Sequence, residues 1–135
     1  MTPPFNGAKL AILVKDQVVT ILRDDKPGLA WPGYWDLPGG GREGSETPIE
    51  TAIRETKEEI GVNIDRELVS YSATYPAGDS VVWFFVAEAP DFGVADIVFG
   101  NEGQCWRLAP TKWFLEHRRA IPHLQDRLNN YLRER

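Results

Sequence analysis

Three glutamates, Glu55, Glu58 and Glu59, stand at i, i+3 and i+4 in the run Arg54-Glu55-Thr56-Lys57-Glu58-Glu59-Ile60-Gly61. On a helix, at about 100° per residue, they share an arc of roughly 100°. Two carboxylates ~4 Å apart repel by about 4 kcal/mol at an effective dielectric of about 20, and partial burial adds to this. Arg54 can pair with Glu50 and Glu58 at i±4, which returns only a few tenths of a kcal/mol per pair. A hard divalent cation compensates better. Oxygen-only ligands suit Mg2+, with Mn2+ possible, and leave positions for water and phosphate. The plain alternative is a solvated helix face.

The flanking residues say what positions this face. Thr47-Pro48-Ile49-Glu50 combines an N-cap hydroxyl, proline at the first helical position and a glutamate three residues after the cap. Helical periodicity runs to about Ile60 and stops at Gly61, with Ile49, Ala52, Ile53, Thr56 and Ile60 as the buried stripe. Upstream, the Gly/Pro-rich stretch from Pro27 to Gly44 is the one compositional break and reads as a functional loop. Within it, Gly39-Gly40-Gly41 suits a backbone that must come close to metal and phosphate. Around this unit, Lys9 to Val14 and Gln17 to Arg23 read as a hairpin turned at Lys15-Asp16. Leu68 to Tyr75, Ser80 to Glu88 and Gln104 to Leu108 read as further strands, and Lys112 to Arg119 and Pro122 to Arg133 as helices. The expectation is an α/β fold with a mixed, partly antiparallel sheet, in one domain over residues 1–135.

The pattern Gly40, five residues, Glu46, seven residues, then Arg54-Glu55-Thr56-Lys57-Glu58-Glu59-Ile60-Gly61-Val62 resembles the Nudix box, G-x5-E-x7-R-E-U-x-E-E-x-G-U with U a bulky aliphatic. Thr56 stands where the family has a bulky aliphatic, on the buried stripe, a departure that touches packing more than chemistry. The resemblance implies a Nudix-type α/β/α sandwich carrying a loop-helix-loop, and a Mg2+-dependent hydrolase of a nucleoside diphosphate linked to some group X. Glu58 and Glu59 would be metal ligands, and Glu55 either a ligand or the base that deprotonates water. Glu46 and Arg54 would support the acidic cluster, and the Gly39 carbonyl would be a further ligand. Glu102, in Asn101-Glu102-Gly103-Gln104, matches the position of an additional metal-site glutamate in MutT-type members; its alternative is an ordinary loop acid.

For the substrate, the MutT type implies a (d)NTP. ADP-ribose, nucleotide sugars and dinucleoside polyphosphates remain alternatives, as does a sensor that binds nucleotide without turnover. Ala120 falls where MutT places a base-reading asparagine, so no oxidised-guanine readout is expected there. Tyr75-Pro76 lies near a proline of some ADP-ribose hydrolases, or is simply a turn proline. Arg23 is a candidate phosphate contact, against a solvated arginine, and Trp31, Tyr34 and Trp35 could stack on a base or close the site. Trp35 could equally anchor the loop to the core.

With 20 acidic and 15 basic residues, the chain carries a formal charge of -5, which argues against a nucleic-acid polymer as partner. The excess is local: residues 42–59 are net acidic, whereas residues 112–135 are net basic. Cys105 stands alone, so no internal disulfide forms and a reducing, cytoplasmic setting is expected, with Cys105 a small buried hydrophobe. Two histidines, His117 and His123, read as surface residues, too few with one cysteine for a Cys/His zinc site. Neither a leader in Met1-Thr2-Pro3-Pro4-Phe5 nor a membrane span is expected, and exposed strand edges leave monomer and homodimer open.

Overall fold

The computed structural model describes residues 4–135, and the reading of the first three residues lies outside them. The expected hairpin forms from Gly7–Val14 (β1) and Gln17–Leu22 (β2). These strands pair only near the turn, at Leu13↔Val18 and Val14↔Gln17. Further out they part and take new partners. Trp35–Asp36 (β3) pairs antiparallel with β2, and Gly39–Gly41 (β4) pairs antiparallel with β1, which sets Gly39 opposite Lys9. The Gly/Pro-rich stretch is thereby threaded into the sheet. Its two short strands were invisible to periodicity, since two or three residues give no alternation to detect.

After the helix Pro48–Ile60 (α1), Val69–Ala77 (β5) pairs antiparallel with Ser80–Glu88 (β6). β6 lies parallel to β1, from Gly7↔Val82 to Leu13↔Glu88. Cys105–Pro110 (β7) runs antiparallel along β2, from Gln17↔Pro110 to Leu22↔Cys105. The helices Thr111–Glu116 (α2) and Pro122–Glu134 (α3) close the chain, with α2 ending three residues earlier than expected.

Both faces of the sheet are covered, and this gives the central strands their nearly unbroken apolar sequence. Leu10, Ile12, Val19, Phe85 and Ala87 meet Ala52 and Ile60 of α1 on one face. Ala11, Leu13, Val18, Phe84 and Val86 meet Phe114, Leu124, Leu128 and Tyr131 of α2 and α3 on the other. The result is the expected α/β/α layering around a mixed sheet. Cys105 departs from expectation: it is exposed, because it opens β7, an outer strand whose recorded ladder is with β2 alone.

α1 is built as its sequence dictates. Thr47 accepts from the Glu50 N–H at 3.3 Å while Glu50 accepts from the Thr47 N–H at 2.8 Å, a reciprocal capping box. Its far end closes at Gly61, φ 72°, whose N–H donates to Lys57 O. Thr56 is fully buried, and its hydroxyl donates to Ala52 O at 2.7 Å. That bond removes the cost of a hydroxyl in the core, so the departure from the aliphatic pattern leaves the helix intact.

Candidate active site

Arg54 organises the acidic face. Its Nε donates to Glu46 Oε2 at 2.6 Å, its Nη1 to Glu55 Oε1 at 2.9 Å and to Glu58 at 3.2 Å, and its Nη2 to the Gly41 carbonyl at 2.8 Å and Glu46 Oε1 at 3.1 Å. Glu43 lies 3.6 Å from Nε. Helical spacing brings Glu58 to Arg54, whereas Glu46 reaches it only because the loop folds back over the helix, and Glu50, also expected at i−4, is occupied in the cap. The Arg54 pKa is accordingly raised, chiefly by its bond to Glu46.

Glu46 also accepts from the Glu43 N–H at 2.9 Å and the Thr51 hydroxyl at 3.0 Å, so it ties loop to helix. The Arg54 hydrogen bond holds its carboxyl at about 2, well below the usual 4.5. A depressed carboxylate contributes stability that is full above pH 4.5 and is lost as pH falls through about 2. Glu46→Gln should therefore destabilise the fold at pH 7, with the gap to wild type narrowing as thermal melts are repeated from pH 4.5 downward. An equal gap at pH 7 and pH 3 would sink this assignment.

Two backbone approaches bring the loop onto the helix. Gly39, at φ 131°, has no room for a Cβ, which would lie 2.2 Å from the Ala8 carbonyl oxygen. At Gly40 a Cβ would fall 2.6 Å from the Glu55 carboxyl, so the space over that carboxylate exists because the residue is glycine. The Gly39 N–H donates to Glu59 Oε1 at 2.7 Å. Burial pushes the Glu59 carboxyl up to about 7, against the pull of the Lys9 charge and the Gly39 N–H, while Asp36 and Glu55 push it further up.

The loop after β6 is fastened to the end of α1, where the Val98 N–H donates to Ile60 O at 2.8 Å and the Gly100 N–H to Glu59 O at 2.9 Å. These bonds satisfy carbonyls a helix end leaves open and set Asn101 and Glu102 beside the acidic face. Glu55, Glu58, Glu59, Asn101 and Glu102 line one cleft of about 170 Å³. A second cleft of about 260 Å³ shares Glu59 and Glu102 and continues over Arg23, Asp24, Lys26, Leu29 and Asp36. A third of about 410 Å³ lies between the Gly40-Gly41 turn, β1, β6 and α3, with Lys9, His123 and Arg127 at its walls.

Among the described residues no three Asp, Glu, His or Cys side chains already stand as a group able to hold a metal. Glu55 and Glu58 are turned to Arg54, and Glu59 to the Gly39 N–H. The residues nevertheless fit a hard divalent cation: the donors around the first cleft are carboxylates and an amide, and the missing Cβ of Gly40 leaves space above Glu55.

Arg23 lines the second cleft, with Nη1 on Asp36 Oδ2 at 3.0 Å and Nε on Ala30 O at 2.8 Å. Trp31, with φ 51°, meets Tyr34 and His123 through ring edges and faces, and Arg119 lies over Tyr34. Trp35 packs against Trp113 and His117 and against the core, as an anchor does. None of these three aromatics lines the two clefts at the acidic face. Ala120 is buried and bridges to Trp35, and Pro76 lies inside β5 at the wall of the third cavity. His123 is exposed and His117 half-buried. Two residues escaped the sequence reading: Lys9 and Asp36, joined at 3.0 Å beneath the Gly39 turn. Lys9 is the one charge within β1, whereas Asp36 ends a two-residue strand that gives no periodic signal.

The family model described as the NUDIX domain matches residues 5–124. The chain belongs to the Nudix family. A Mycobacterium tuberculosis relative carrying the provisional name 8-oxo-dGTP diphosphatase 3 is 34% identical over 89 residues, 63% of this chain and 39% of that protein. The chain thus spans about two fifths of the length of that curated relative. Among solved structures, a Nudix hydrolase from Nitrosomonas europaea superposes with a TM-score of 0.76 at 25% identity, covering 100% of this chain and 73% of that one. A MutT protein from Methanosarcina mazei superposes with a TM-score of 0.75 at 20% identity, covering 99% and 97%, and this likeness speaks for the Nudix fold alone.

Proposed function

We propose that this chain is a divalent-metal-dependent hydrolase of phosphoanhydride bonds in nucleoside diphosphates linked to a group X, with a (d)NTP as the substrate and a nucleoside monophosphate and pyrophosphate as products. The observation that carries this reading is the cleft in which Glu55, Glu58, Glu59 and Glu102, separated by up to 47 positions in sequence, line one space. Mg2+, with Mn2+ as an alternative, would be held by Glu58 and Glu59 with Glu55 or Glu102. Bound there, it would make water more acidic and offset phosphate charge.

The chain's own residues would do the rest. Arg54 fixes the directions of Glu55 and Glu58 through its planar fork. Glu55 or Glu102 would take the proton of the attacking water, one at the Gly40 turn and the other on the facing loop. Arg23 and Lys26 bring positive charge to the adjoining cleft, where phosphate oxygens would lie. The third cavity, across the Gly40 turn from Glu55, has the size and mostly apolar walls for the nucleoside end. The name of the Mycobacterium relative points to an oxidised purine nucleotide. Ala120, buried and without an amide, cannot read such a base, and we assign no 8-oxoguanine preference.

The test is a panel of dNTPs, NTPs, ADP-ribose, dinucleoside polyphosphates and nucleotide sugars with Mg2+ and with Mn2+, followed by product analysis. Pyrophosphate and monophosphate from a (d)NTP are expected. Cleavage of only another member would move the assignment to that X, and tight binding with no cleavage of any would favour a nucleotide sensor.

A further inference from the structure

Lys9 lines the cavity assigned to the nucleoside end but has no part in the proton transfer or metal binding proposed above. It lies in β1 between the buried Ala8 and Leu10, and its side chain is 23% exposed. An ammonium has three protons, and here each has an acceptor: Asp36 Oδ2 at 3.0 Å, Leu37 O at 3.2 Å and Gly39 O at 3.3 Å. It is therefore spoken for, and does not stand ready to grip a phosphate. Asp36, 3% exposed, accepts from Lys9 and from Arg23 Nη1 on the same oxygen, and takes the Leu37 N–H on the other at 2.7 Å.

The Gly39 peptide links the two sides of this arrangement. Its carbonyl accepts from Lys9, and its N–H donates to Glu59. A fixed positive charge, shared with Asp36, thus stands directly behind the turn whose front faces the carboxylates, and it occupies a lone pair of the Gly39 carbonyl. Like charges repel across such distances, more strongly where the charge is shielded from water.

We propose that Lys9 is a positioning residue acting as a resident counter-ion of the carboxylate cleft. It pins the Gly39 turn and supplies positive charge there, and it thereby keeps the divalent-ion affinity of the nucleotide-free protein low. The ion is then taken up chiefly together with the nucleotide, whose phosphates add the missing ligands and charge. This last step rests on the proposed function; the effect of Lys9 on ion affinity does not.

The experiment is a calorimetric titration of the nucleotide-free protein with Mn2+, comparing wild type with Lys9→Met, Lys9→Gln and Lys9→Arg, each checked for native circular dichroism. Met and Gln, which remove the charge, should bind Mn2+ about tenfold more tightly or better, and Arg should stay within about threefold of wild type. A lysine that merely braces the turn gives the opposite sign, since a loosened turn weakens ion binding. Unchanged or weaker binding in both charge-removing variants overturns the proposal. Should Lys9→Met fail to fold, Lys9→Gln, which keeps donors for Gly39 and Asp36, decides. Tightened Mn2+ binding in a protein that cleaves nothing on the substrate panel would sink the hydrolase reading and spare this one; cleavage with unaltered Mn2+ affinity would do the reverse.

Discussion

Replacing Glu58 with Gln is expected to lower turnover by about three orders of magnitude while leaving the melting temperature almost unchanged. The two halves of this expectation have separate causes. Among the described residues Glu58 pairs only with Arg54, at 3.2 Å, and its side chain is 57% exposed. Exposed i,i+4 pairs contribute about 0.3–0.5 kcal/mol, too little to move a melt by more than a degree or two. In the cleft, by contrast, the carboxylate would be a direct ligand, and an amide of the same shape supplies no negative charge to hold a cation. Removing one preorganised donor to a developing oxyanion costs about 10²–10³ in turnover, and we expect at least that cost where the hold on a cation that offsets phosphate charge is weakened. Steady-state turnover with saturating Mg2+ checks the first half and a thermal melt the second. Near-native turnover would remove Glu58 from the metal site.

Arg54→Lys should fail on both counts, although the charge is kept. Arg54 spans Glu46, Glu55, Glu58 and the Gly41 carbonyl through three differently directed nitrogens, and a single ammonium cannot reach all four. Glu46 and Glu55, whose side chains are only 19% and 18% exposed, would be left partly unpaired. Partial loss of such a network costs about 2–3 kcal/mol, and a catalytic loss of about a hundredfold or more should accompany it as Glu55 and Glu58 lose their fixed directions. Urea titrations of Arg54→Lys, Glu46→Gln and the double variant measure this directly. The two costs should be strongly non-additive, because each variant breaks the same bonds; additive costs would mean that Arg54 and Glu46 act independently.

The contrast between these residues also shows what a sequence can tell of such a site. α1 was legible to its last turn, because its cap, proline, apolar stripe and terminal glycine are local signals that agree with one another. The spacing from Gly40 to Val62 was legible for the same reason: one loop and one helix hold it. The family resemblance joins Glu46 and Arg54 to the acidic cluster but not to each other, since helical periodicity says nothing of a loop that folds back; their bond is visible only in the structure. Lys9 and Asp36 lie 27 positions apart and meet through β-sheet pairing, so neither residue's neighbours in sequence announce the other. The placing of Glu102 depends on backbone bonds from Val98 and Gly100 to the end of α1, in a stretch without any apolar period to read. Trp31, Tyr34 and Trp35 show the reverse difficulty. Their types suit stacking on a base, but aromatics suit packing equally well, and Trp35 packs on Trp113.

The carboxylate cleft is proposed to direct water onto a nucleotide phosphoanhydride with the help of a divalent ion. This is tested most directly by following the phosphorus signals of a cleaved (d)NTP in 18O-labelled water, with Mg2+ and with chelator, for wild type and Glu58→Gln. One labelled oxygen is expected in one of the two products, formed by the wild-type protein only when Mg2+ is present and almost abolished in the variant. Turnover that persists in chelator, or equally in Glu58→Gln, would contradict this role of the cleft.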